Sequence, residues 1–173
     1  MGEKIKQAIG IEGTFKDTVW PMIQYCFANI FMGGGGYIIS MYFTIFLTNV
    51  VGMELRHATF IMMIATVWDG VNDPIMGLIT DRTRSKYGKH RRYILWGMPL
   101  LCLSFIMMWN GYGFDGRTEP VKTFIYFTAA YMLYKTAYTV IDIPHVAMLP
   151  AVAPKYFMRS QYKIVEYIFN MFG

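Results

Sequence analysis

Asp69 and Asp73 interrupt an otherwise apolar run in the segment WDGVNDPIMGLITDRTRSKYGKHRR, residues 68–92. A spacing of four places both carboxylates on one face of a helix. Two acids that close and poorly solvated do not both ionise comfortably. One keeps a proton, or a cation is held between them. Asn72 adds an amide oxygen at a neighbouring position. Pro74 has no N–H, so the carbonyl of Gly70 loses its helical donor. Oxygen ligands gathered at a disturbed helix suit a hard monovalent cation at the midplane of a transporter. The plainer reading is that the acids pair with a base on another helix.

A second polar set lies further along. Lys135, Thr139 and Asp142 fall at i, i+4 and i+7, again on one helical face. Seven residues span about 10 Å of helix axis, long for a direct Lys135–Asp142 ion pair. Lys135 is therefore expected to meet a group from another helix or a substrate, and both roles stay open. Pro144 frees the carbonyl of Val140, which predicts a bend near Asp142.

The elements that must carry these residues are apolar segments of membrane-spanning length. About 20 residues of helix cross about 30 Å of hydrocarbon. Such spans fall at about 24–48, 58–80, 93–110 and 121–152, with a fifth starting near 160. The expected fold is an all-α, polytopic bundle, preceded by a segment over 1–23 that lies on the cytoplasmic surface or forms a tail. An ionisable side chain at membrane depth is costly and marks function. With the N-terminus inside, all but four of the 16 lysines and arginines fall on the cytoplasmic side. The exceptions are Arg56, Arg117, Lys122 and Lys135. That bias orients the chain and accounts for the net charge of +5 without a nucleic-acid partner.

Other features carry less. The four glycines at 33–36 favour close helix packing over phosphate binding, because no Gly-Lys-Ser/Thr ending follows. HExxH, GxSxG and paired CxxC patterns are missing, so no enzyme or cofactor is expected. Cys26 and Cys102 read as packing residues. His145 is as well explained by packing as by proton handling. Tyr37, Tyr42 and Tyr138 could line a sugar site, although packing or lipid contact is the commoner use of such residues.

The run WDGVNDPIMGLITDRTRSKYGKHRRYILWG, with TAYTVIDIPHVAMLP at 136–150, NVVG at 49–52 and the ending RSQYKIVEYIFNMFG, resembles the glycoside–pentoside–hexuronide:cation symporters. This is the melibiose-permease-like branch of the major facilitator superfamily. The resemblance implies a twelve-helix carrier of two six-helix halves in the cell membrane, moving a sugar with Na⁺ or H⁺. This chain would supply the first part, and a C-terminal half would come from the same or a separate chain. By motif, Asp69, Asn72, Asp73 and Thr139 match the family's cation site, and Asp142 matches an acid that helps hold sugar. Asp81, Arg82 and Arg84 fall where a cytoplasmic gate is expected.

The departures from the family pattern are equally specific. The first-helix sugar aspartate falls at or near Gly33, the stacking tryptophan at Val146 and the fifth-helix arginine near Tyr167. Lys135 replaces a small residue. An acid lost and a base gained shift the first-half pocket by two positive charges. The shift predicts a carboxylate-bearing substrate, such as a hexuronide, and makes Lys135 a substrate-binding candidate beside Asp142. Rival readings are an uncoupled or lipid/drug facilitator of the same superfamily, or an inactive fragment.

Overall fold

Inside a bilayer every backbone N–H and C=O must be satisfied within the protein, and long apolar segments meet that demand as helices. The computed structural model describes residues 15–83, 90–153 and 156–172. They form α1 (Phe15–Ile45), extended by a π-helical turn (Phe46–Val50), then α2 (Leu55–Arg82) and α3 (Arg91–Trp109). After these come α4 (Pro120–Ala147), the single turn α5 (Leu149–Val152) and α6 (Tyr156–Phe172). Every regular element among the described residues is helical, as the sequence predicts.

The bounds differ from the expected spans in instructive ways. Helix α1 begins at Phe15, inside the stretch expected to precede the first span. Helices α2 and α4 each run 28 residues, about 42 Å at 1.5 Å per residue, longer than the hydrocarbon they would cross. Trp20–Val50 and Arg91–Trp109 are long and apolar enough to span a membrane. Helices α2 and α4 have the length, but the ionisable and hydroxyl side chains they carry dilute their apolar character. Both Pro74 and Pro144 sit within continuous helices. Helix α4 ends three residues beyond Pro144: Met148 N–H reaches back to the carbonyls of both Pro144 and His145, and α5 then restarts the chain.

The chain divides into two compact units. In the unit Ser40–Met148, α4 packs against both α2 and α3. Its core is aromatic at one end, where Phe43 lies 4.9 Å from Tyr131 and Phe46 lies 5.2 Å from Trp109, centroid to centroid. Ring pairs at these separations contribute beyond the area they bury. Small residues let the helices approach: Gly97 of α3 is buried, and a Cβ there would stand 2.6 Å from Ile141 Cγ1 of α4.

The turn after α1 depends on two glycines. Gly52 has φ +73°, a left-handed conformation that a side chain disfavours, and closes the NVVG sequence. Gly116 donates its N–H to Val51 O at 2.8 Å. A Cβ on Gly116 would lie 2.7 Å from the Met53 Cα.

The other unit joins Met1–Ile39 to Leu149–Gly173. Cys26 is fully buried, and its thiol meets the Tyr162 carbonyl at 3.6 Å. Tyr25 packs edge-on against the Tyr162 ring at 5.6 Å. Gly33 approaches α6 so closely that a Cβ would stand 2.4 Å from Asn170 Oδ1. The packing role read from the glycine run holds at Gly33, whereas a Cβ at Gly35 or Gly36 would meet nothing within 4 Å.

Candidate functional site

Helices α2 and α4 bring the two polar sets together. Lys135 Nζ donates to Asp69 Oδ2 at 2.6 Å, and Thr139 Oγ1 donates to Asp73 Oδ1 at 2.9 Å. Both contacts join residues 66 apart in sequence. A constant offset with a step of four on each helix requires two parallel helices in fixed register. In an antiparallel pair the order would reverse. Trp68 adds a third tie, donating from Nε1 to Thr136 Oγ1 at 2.9 Å. The register is thus held by three adjacent side-chain contacts.

The environment of each group differs. The Asp69 and Lys135 side chains are 28% and 27% exposed. That is too dry for the pair to count as a surface ion pair, yet open enough for water or an ion to reach it. The Lys135 ammonium also lies 5.9 Å from the centre of the Tyr131 ring, whose face attracts cations. Thr139 is buried, and its hydroxyl has Lys135 O at 3.1 Å as a second acceptor. Asp73 is exposed. The Asn72 Nδ2 is buried and has no hydrogen-bond partner among the described residues. Turning that amide over would present its oxygen at the same place.

The oxygen donors Asp73, Thr139, the Lys135 carbonyl and the Asn72 amide fit a hard monovalent cation or a proton. Asp69 differs, because a lysine ammonium already occupies its Oδ2. The alternative of an acid paired with a base on another helix is therefore realised at Asp69, and Lys135 is placed as its counter-ion. Among the described residues no three His, Cys, Asp or Glu side chains converge into a multidentate metal centre.

The remaining candidates lie elsewhere. Asp142 is half-buried one turn beyond Thr139 on α4. Asp81 and Arg82 stand exposed in the last turn of α2, while Arg84 lies outside the described residues. Gly33 and Tyr167 belong to the unit with α6, whereas Val146 belongs to the unit that holds the acids.

Sequence reasoning left a base on another helix open for the acids and a counter-ion role open for Lys135 without matching Asp69 to Lys135, and it missed the Trp68–Thr136 contact. A signal for the first was available. The second and fourth of successive crossings run in the same direction, so two i,i+4 polar pairs at matching depth must face each other in register.

Ionisable side chains paired between long apolar helices mark functional sites in membrane bundles. The chain matches the family described as MFS/sugar transport protein over residues 25–173, and it belongs to that family. Its helices are accordingly those of a membrane protein, and its relatives are named as transporters rather than enzymes. It is 32% identical over 138 residues to the uncharacterized symporter sll1374 of Synechocystis, covering 79% of this chain and 25% of that protein. It is 30% identical over 103 residues to a putative glycoside/cation symporter, YagG, of Escherichia coli, covering 60% and 22%. The sodium-dependent lysophosphatidylcholine symporter 1 of Mus musculus is 25% identical over 131 residues, covering 72% and 24%. The chain spans about a quarter of the length of the curated relatives it matches.

Proposed function

We propose that the full-length protein is a cation-coupled symporter, with Asp73, Thr139 and Asn72 at its coupling-ion site and Asp69 beside it. The observation that carries this reading is the Asp73–Thr139 contact, which places a carboxylate and a hydroxyl from two parallel helices at one point. An ion bound there draws α2 and α4 together and cancels the Asp73 carboxylate charge. That neutralisation favours the rocking of one helix bundle against another around a midplane site. Linkage makes the coupling reciprocal: cation binding strengthens solute binding by the factor with which solute strengthens cation binding.

The names of the relatives support symport as the mode and leave the cargo broader. A sugar, glycoside or hexuronide is the cargo favoured by the motifs, with Asp142 as a solute contact and Na⁺ or H⁺ as the coupled ion. The lysophosphatidylcholine symporter among the relatives supports an amphiphile as the second reading. The N-terminus is assigned to the cytoplasm on the distribution of basic residues, with Asp81, Arg82 and Arg84 at the cytoplasmic gate. A C-terminal transmembrane half completes the solute pocket.

The test is uptake into proteoliposomes containing the full-length protein, under an inward Na⁺ or proton gradient. Hexuronides, neutral glycosides and lysophospholipid serve as competing cargoes. Gradient-driven accumulation inhibited by a hexuronide or glycoside supports the reading. Accumulation indifferent to both gradients contradicts coupling, and inhibition by lysophospholipid alone moves the cargo to the second reading.

A further inference from the structure

The coupling-ion reading takes Asp69 and Asp73 as a pair, yet the two acids are not equivalent in the structure. A lysine lies 2.6 Å from one of them, and a neutral hydroxyl bonds the other. From this difference we infer that the Lys135 ammonium is a tethered cation that occupies Asp69, excludes a mobile ion from it, and so sets the ion affinity of the site. The inference rests on the coupling-ion reading and deepens it: Lys135 becomes the residue that determines how strongly this carrier takes Na⁺.

The physical basis is charge and geometry. Two unpaired carboxylates one helical turn apart would present two negative charges to an entering Na⁺. With Lys135 in place the cluster of Asp69, Asp73 and Lys135 carries one. The ammonium is tethered and cannot diffuse away, since the next turn of α4 is held against α2 by the Trp68–Thr136 and Asp73–Thr139 ties. Tyr131 attracts the same ammonium through its ring face, which further holds Lys135 at this place. An incoming Na⁺ therefore meets the Asp73 carboxylate and the Thr139 hydroxyl, together with the repulsion of a fixed positive charge one helical turn away on α4. Both losses act in the same direction, and in a partly dry site each unit charge weighs heavily. Such a site favours ions that need few ligands over Na⁺.

The decisive experiment follows thermal unfolding of the purified full-length protein in detergent against Na⁺, with choline holding ionic strength constant. A ligand that binds only the folded state raises its midpoint, so the shift reads affinity without transport. The wild type is expected to respond weakly. Lys135→Met, which removes the charge and keeps most of the volume, gains a Na⁺-dependent rise with affinity about tenfold tighter or more. Adding Asp69→Asn to that variant abolishes the gain. Lys135→Gln, which can still hydrogen-bond Asp69, gives the same readout if the methionine variant does not fold. Lys135→Arg keeps the charge and follows the wild type.

An unchanged Na⁺ response in both Lys135→Met and Lys135→Gln overturns the inference, as does a gain that survives Asp69→Asn. Failure of the underlying reading has a different signature. There the Lys135→Met gain persists when Asp73→Asn is added, which removes Asp73 from the ion site while leaving the Lys135 effect standing.

Discussion

At the scale of single residues, Asp69 and Lys135 form an ion pair that is neither surface-exposed nor fully buried. Exposed pairs contribute up to about 1 kcal/mol, and removing one member of a buried pair costs about 3–5 kcal/mol. With roughly a quarter of each side chain open to solvent, Lys135→Ala is expected to destabilise the protein by about 1–2 kcal/mol. A double-mutant cycle with Asp69→Ala checks this: the second substitution should cost much less once the first is made. Fully additive costs would mean that the contact contributes nothing. Trp68→Phe removes one hydrogen bond and keeps most of the ring. It is expected to lower stability by about 1 kcal/mol, read as a drop in the thermal midpoint.

At the scale of helices, the glycines at close contacts make a graded prediction. A Cβ on Gly97 would meet Ile141 Cγ1, a buried β-branched side chain that yields only by shifting with its helix. A Cβ on Gly116 would meet the backbone of Met53. Gly116→Ala is therefore expected to cost more than Gly97→Ala, since backbone yields less than a side chain, with Gly97→Ala within the about 1–3 kcal/mol typical of overpacking. Thermal midpoints of the two variants settle the order, and an equal or reversed pair would contradict these contacts. Helix existence was legible in the sequence, because runs of about 20 apolar residues admit little else in a bilayer. Helix ends were less so. Phe15 starts α1 earlier than hydropathy suggests, since a helix can continue past the apolar core into the interface. Helix α4 runs through Pro144 to Ala147, where Met148 N–H meets the carbonyls of Pro144 and His145.

At the scale of the whole molecule, the site was half legible. Periodicity put Asp69 with Asp73 and Lys135 with Thr139, because each pair lies four apart on one helix. It could not say which acid meets which partner, since helix register comes from packing between α2 and α4. Lys135 is the clearest case: its charge counted toward an anionic substrate in the sequence, whereas in the structure it answers Asp69. The two positive charges inferred for the pocket are therefore partly compensated within the same unit, which weakens the argument for a carboxylate-bearing cargo. A neutral glycoside becomes a fair competitor in the uptake assay.

The central claim is that Asp73 and Thr139 hold the coupled ion between two parallel helices. It is tested most directly by uphill accumulation and by solute exchange in proteoliposomes, comparing the full-length wild type with Asp73→Asn. Exchange needs the solute site and the rocking motion, whereas accumulation needs the ion as well. The account predicts that Asp73→Asn loses gradient-driven accumulation by more than about tenfold while solute exchange continues. Accumulation that remains at the wild-type level and still follows the cation gradient would contradict it.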